Sequence, residues 1–494
     1  MGTAALAALP GWTKTAFGKP NLRVGILSDI HVTSDADASF FEKALRYFDA
    51  RKVDAVLVTG DLFTWGSFPE LEAVGRAWFK VFPGDRRSDG GPVVRLFVTG
   101  NHDVDGFAYG PRFDTLESAR ASAFYFHREE QWEKVFHEAY EPVTVKTVKG
   151  YVFVLRHWMS ILGTEKTHKL IRGVPFPDEV SPLPQVMASL KLPEGRPFFY
   201  AQHESLDDTV LATWLTGGLK WNNGQDRGQA KAVLDRYPNC VAFTGHCHHS
   251  LTDERSIWQG SFTAVNCSCA RGWAFTVPGR ENGFACPDFN RTPPLEMPRL
   301  DNQSVRQGMV MEVYDDRIVL ERREWTYDQT LGPDWVIPLF GGRTVPSHGT
   351  PKYDFKARAA ASRAPVFPAN AKLTVRRVKD GRRRDGNGVD VDKRMCEQVW
   401  VEFPPITTRG GSPSRGFDFT VCCETRDADI VRVVDECRVF SPNALQTEAR
   451  DLQSCRCAFP GERVPSNRDV RFTVVPHDCW GNAGAELVSK WMRV

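Results

Sequence analysis

Arg23-Val24-Gly25-Ile26-Leu27-Ser28-Asp29-Ile30-His31 is an apolar strand that runs into a carboxylate and an imidazole two residues apart. The same design recurs four times downstream. Ala55-Val56-Leu57-Val58-Thr59 runs into Gly60-Asp61, and Leu96-Phe97-Val98-Thr99 into Gly100-Asn101-His102-Asp103. Phe198-Phe199-Tyr200-Ala201-Gln202 runs into His203, and Val241-Ala242-Phe243-Thr244 into Gly245-His246-Cys247-His248. Between these runs lie amphipathic patterns at Ala38–Arg51 and Pro69–Val81, so strand and helix alternate. That alternation predicts an α/β layered sheet. In open α/β sheets the carboxyl ends of the strands converge on one crevice. The five exits would then gather imidazoles, two carboxylates and an amide oxygen in one place. Alternation along a strand puts residues i and i+2 on one face, which lets Asp29 and His31, or His246 and His248, grip one cation while Cys247 faces away. Gly60, Gly100 and Gly245 precede such residues, as expected where the backbone turns sharply or approaches the site closely.

Working outward, a mostly helical stretch covers 116–141, a hairpin is expected around Gly150, and a helix near Gln229–Arg236. Val310 to Leu320 reads as two strands about an Asp315-Asp316 turn. From Phe340 to Lys372 the composition shifts to Pro, Gly, Ala and Ser. Short strand-like runs with turn signals follow, which predicts an all-β sandwich. The expected organisation is a tail at 1–20, a first domain at 21–340, a linker at 341–371 and a β-sandwich at 372–494. The basic run Arg376 to Arg384 surrounds Asp380-Gly381 and reads as a solvated hairpin tip. Asp385 to Asp390 superficially suggests a calcium loop, but it lacks the required glycine and terminal acid and reads as a turn.

Length and charge set bounds. The chain has 494 residues, 63 Lys and Arg against 61 Asp and Glu, and a net charge of +2. Near neutrality gives no electrostatic case for nucleic acid, which is disfavoured as a partner. No run of 18 apolar residues appears, so no membrane-spanning helix is expected. The small-residue start Met1 to Pro10 and seven cysteines in the last hundred residues lean toward an exported or periplasmic protein with disulfides. A frayed tail and a cytoplasmic protein are the other reading. Cys267, Cys269 and Cys286 lack the spacing of a zinc site.

Asp29-x-His31, Gly60-Asp61, Gly100-Asn101-His102-Asp103, His203 and Gly245-His246-x-His248 resemble, in order, the motif series of the calcineurin-like metallophosphoesterases. The resemblance covers about 21–330. It implies a β-sheet sandwich flanked by helices and two divalent metals. By motif, Asp29, His31, Asp61 and His248 would hold the first. Asp61, bridging, would join Asn101, His203 and His246 on the second. His102 would stand near the substrate's leaving oxygen, with Asp103 orienting it. Purple acid phosphatases, a branch of the superfamily, carry Tyr where this chain has Thr64, so an iron–phenolate pair is not expected. Nitrogen and oxygen donors suit Mn, Fe, Zn, Co or Ni.

The implied chemistry is in-line attack on phosphorus by a hydroxide between the metals. A phosphodiesterase or broad phosphatase of small phosphoesters is the leading expectation. The alternatives are a phosphoprotein phosphatase and an inactive, metal-bound scaffold acting through its sandwich. Arg271 could meet a phosphate, although an ordinary polar loop is the favoured reading there, and Trp65 is expected to pack. The C-terminal end, Phe472 to Gly484, is similar to the closing strand of fibronectin type III-like modules.

Overall fold

A computed structural model describes residues 18–106, 115–158, 182–211, 213, 229–271, 305–384, 390–408, 411–441 and 454–494, with the side chains at 116, 380–384 and 390–396 left undescribed. Two sheets face each other. The first is built from β1 (Leu22–Leu27), β2 (Ala55–Thr59) and β3 (Val94–Val98). The second is built from β4 (Val143–Val148), β5 (Tyr151–Arg156), β6 (Phe198–Ala201), β7 (Cys240–Thr244), β8 (Ile257–Gln259) and β9 (Thr263–Asn266). β10 (Gln307–Val313), β11 (Arg317–Glu324), β12 (Gln329–Thr330) and β13 (Trp335–Pro338) return to the first sheet. The orders are β12-β11-β10-β1-β2-β3, with β13 also on β11, and β4-β5-β6-β7-β9-β8.

The pairs β1–β2, β2–β3, β5–β6, β6–β7 and β7–β9 are all parallel. Their carboxyl ends therefore leave each sheet at one edge, which is what brings distant motifs together.

Alternation along the strands explains the layering. Leu22, Val24 and Ile26 point into the core between the sheets, beside Phe153, Phe199 and Phe243. Val56 and Val58 point the other way, under α1 (Ser39–Ala50) and α2 (Phe68–Val81). Phe41, Ala44, Leu45 and Phe48 form one buried stripe of α1 at helical spacing. Glu70 caps α2, accepting from the Ser67 and Trp65 amides at 3.1 and 3.0 Å. Gly25 leaves room for the Phe48 ring, since a Cβ there would stand 2.5 Å from two of its carbons. Gly25→Ala should cost about 1–3 kcal/mol through overpacking, read as a lower thermal midpoint. An unchanged midpoint would show that the ring swings aside.

The C-terminal part is all-β. β14 (Thr374–Arg384), β15 (Asp390–Phe403) and β18 (Cys455–Pro460) form one antiparallel sheet. β16 (Asp418–Asp427), β17 (Ile430–Phe440), β19 (Val470–His477) and β20 (Leu487–Val488) form the other. Val399, Val401, Phe419, Val421, Phe459 and Phe472 fill the space between them. β14 runs straight through the basic stretch, so Asp380-Gly381 is an irregular point in a strand and not the expected hairpin tip. The segment 385–390, read as a turn, lies mostly outside the described residues.

The segment read as a linker carries a helix, Phe355–Ala361, capped by the Asp354 carboxylate on the Ala357 amide. It is packed into both parts. Arg358 reaches the Glu254 carbonyl and carboxylate, both at 2.5 Å, while Phe355 meets Trp480 edge-on. The fully buried Arg255–Asp253 pair, at 2.7 Å, lies with its guanidinium over Phe417 of the sandwich. Cys240, Cys247, Cys267, Cys269, Cys422, Cys423, Cys437, Cys455 and Cys479 carry free thiols, so the expected disulfides are not found among these nine. No helix among the described residues is long and apolar enough to cross a membrane.

Candidate metal centre

The five strand exits meet. Ligand-type atoms of Asp29, His31, Asp61 and His248 lie within 4.8 Å of one another, as do those of Asp61, His203 and His246. Asp61 belongs to both groups. Asn101 joins the second, its Oδ1 3.0 Å from His203 Nε2. No cysteine is part of either group among the described residues.

The convergence does not come from strand alternation. β1 ends at Leu27 and β7 at Thr244, before the site residues begin. Asp29, His31, Asp61, His246 and His248 instead have φ of 50, 43, 50, 65 and 50°, in the left-handed region. Such backbone is strained for non-glycine residues and survives only where its surroundings over-determine it. Here they do. The Asp29 amide donates to the Gly60 carbonyl at 3.0 Å, and the His31 amide to the Asp61 carbonyl at 2.9 Å. Gly60 has φ 97°, and any Cβ there would run into the His203 ring. A Cβ at Gly245 would press on Ser28 Oγ and on the Asp29 carboxylate.

The hydrogen-bond pattern fixes tautomers. His203 Nδ1 donates to the Thr59 carbonyl at 2.8 Å, which turns Nε2 toward Asp61 Oδ2 at 3.2 Å. His248 Nε2 is 2.9 Å from Asp29 Oδ1, and His31 Nε2 is 3.6 Å from Asp61 Oδ2. Ser28 Oγ and the His246 amide both donate to Asp29 Oδ2.

Electrostatics point the same way. Burial holds His31 and His246 down to about 3, so both are neutral with lone pairs available at neutral pH. Burial would lower His203 too, but the Asp61 and Asp29 carboxylates override it and lift it to about 10. His248 is raised as well, against burial, by Cys269 and Asp29. Two buried carboxylates thus demand positive charge, and without metal the imidazoles must supply it. Divalent cations fit this donor set of carboxylate, amide oxygen and imidazole.

His102 lies outside both groups, in the short helix α3 (Asn101–Val104). Its ring is 4.8 Å from that of His31, and its amide donates to Asp61 Oδ1 at 2.9 Å. The expectation that Asp103 orients it is corrected. The Asp103 carboxylate accepts from the Gly100, Leu62 and Phe63 amides at 2.7, 3.2 and 2.8 Å, so it shapes the backbone. The Thr64 carbonyl holds His102 instead, receiving Nδ1–H at 2.8 Å.

Other residues were missed in the sequence or misread there. Thr64 also donates its hydroxyl to the His31 carbonyl at 3.0 Å. Trp158, just past β5, walls the second group, with its ring centroid 5.9 Å from His203 and 6.0 Å from His246. Asp105 holds its indole at 2.7 Å. Its signal was the polar-aromatic exit of a further parallel strand. Trp65, expected to pack, is 41% exposed. Arg271 donates to the His31 carbonyl at 2.8 Å and pairs with Asp37 at 2.7 Å.

Residues 22–250 match the family model of the calcineurin-like phosphoesterases. No curated protein matches the chain. Among solved structures it is similar to a dimetal phosphatase from Danio rerio, at 15% identity over 65% of this chain and 100% of that one, with a TM-score of 0.36. It is also similar to a purple acid phosphatase from yellow lupin, at 15% identity over 65% and 55% of the two chains and a TM-score of 0.32. GAP50 of Plasmodium, an anchor in the inner membrane complex, is similar at 11% identity over 69% and 92%, with a TM-score of 0.34. Asp29, His31, Asp61, Asn101, His203, His246 and His248 thus converge within residues 22–250, the part of the chain that is similar to the calcineurin-like phosphoesterase domain.

Proposed function

We propose that this protein is a binuclear metallophosphoesterase acting on small phosphoesters, either as a phosphodiesterase or as a broad phosphatase. The observation that supports it most is the sharing of Asp61 between two clusters of ligand-type atoms. On this reading Asp29, His31, Asp61 and His248 hold one divalent cation, and Asp61, Asn101, His203 and His246 a second. Such cations supply Lewis acidity and an acidified water at neutral pH.

The remaining work falls to the chain. Asp61 sets the spacing of the two halves, and the Thr59 carbonyl keeps His203 Nε2 turned inward. His102, held at Nδ1 by the Thr64 carbonyl, keeps Nε2 for the leaving oxygen, to which it donates a proton or hydrogen bond. On this reading residues 21–340 are the catalytic unit, and 372–494 is a sandwich whose role is docking, substrate presentation or stability.

Metal content of the purified full chain, paired with hydrolysis of bis-p-nitrophenyl phosphate and p-nitrophenyl phosphate under added Mn or Zn, tests the reading. About two metals per chain with metal-dependent turnover is expected. Faster diester cleavage makes it a phosphodiesterase, and faster monoester cleavage a phosphatase. Two metals with neither activity would favour the scaffold instead.

A further inference from the structure

The segment Cys269-Ala270-Arg271 runs beside the strained loop that carries Asp29 and His31. Three successive residues of the one engage three carbonyls of the other. The Ala270 amide donates to the Ser28 carbonyl at 2.9 Å. Cys269 Sγ donates to the Asp29 carbonyl at 3.3 Å, and Arg271 Nη1 to the His31 carbonyl at 2.8 Å. The segment is itself anchored, because its Cys269 carbonyl receives the Gln307 amide of β10 at 2.9 Å and Arg271 is held by Asp37 at 2.7 Å. Cys269 is fully buried and also meets the His248 imidazole. One strap therefore touches Asp29, His31 and His248, all members of the first group. The second group is held differently, through the Thr59 carbonyl and Trp158.

We propose that the strap 269–271 is the positioning element of the half-site formed by Asp29, His31 and His248. Arg271 and Cys269 are then positioning residues, and Arg271 does not serve as the phosphate contact that its place in the sequence suggests. The left-handed backbone at Asp29 and His31 needs outside support. Hydrogen bonds to the carbonyls supply it without occupying any ligand-type atom.

The proposal rests on the metalloenzyme reading, and its test separates the two. Metal-free full-length protein is titrated with Mn(II), and kcat and KM are measured at saturating metal. In the wild type two Mn(II) should bind. In Arg271→Ala one of the two should weaken about 10–100-fold, the magnitude usual for outer-shell partners. The other should stay within a factor of about two, with KM little changed. A raised KM with both Mn(II) affinities intact would make Arg271 a substrate contact and overturn the proposal. Equal weakening of both sites, or of neither, would overturn it too.

Cys269 gives an independent check. If its hydrogen bonds matter, Cys269→Ser should retain more first-site affinity than Cys269→Ala. If the thiol only packs, the order reverses, because a hydroxyl fits an apolar hole worse than a methyl. A wild type that binds no Mn(II) would fail the underlying reading itself, and the proposal with it.

Discussion

Asp61→Asn should abolish metal-dependent turnover and lower the bound metal from about two per chain to one or none. The loss should exceed the ~100-fold that outer-shell changes cost. Asp61 is the one side chain common to both clusters among the described residues, so its removal strikes both sites together. Asparagine suits the test because it tolerates the left-handed backbone that Asp61 adopts, at φ 50°, whereas most residues would add strain. It keeps the shape and an oxygen toward the His102 amide while removing the charge. Elemental analysis, Mn(II) titration and circular dichroism measured together decide the matter. A folded variant that still holds two metals would show that Asp61 does not bridge.

His102→Ala should behave in the opposite way. Both metals should stay, since His102 belongs to neither cluster, while kcat falls by about 10²–10⁴, the usual range for a lost general acid. The defect should depend on the ester. It should be large for an alkoxide leaving group and shrink for 2,4-dinitrophenolate, which departs without a proton. A purely structural role would lower both rates alike. The prediction follows from the hydrogen bond to the Thr64 carbonyl, which engages Nδ1 and so assigns the exchangeable proton to Nε2. An unchanged rate on both esters would remove His102 from the mechanism.

Much of the candidate site was legible in the sequence because the chemistry depends on residue types at strand exits, and each exit is a local pattern. Leu22 to Leu27, Ala55 to Thr59 and Cys240 to Thr244 are short apolar runs bounded by turn residues. Parallel topology does the rest, by sending those exits to one edge. Helix α1 was equally clear, its four buried residues falling at 3.6-residue spacing. The long hairpin strands of the sandwich were less so. β17 exposes Ile430, Val431, Val433 and Val434 in succession, so no two-residue alternation marks its length.

By itself the sequence determined the fold class, and it named the candidate ligand residues and their order along the chain. Only the tertiary structure decided how those members are held. The left-handed turns at Asp29, His31, Asp61, His246 and His248 replace the strand alternation that the i, i+2 spacing suggested. Thr64 takes the place expected for Asp103, and Arg271 grips a carbonyl 240 positions away. These bonds involve backbone carbonyls, which every residue carries, and partners that no local window contains. A side-chain pattern can announce a ligand, but a carbonyl that steadies one becomes visible only after the chain has folded around it.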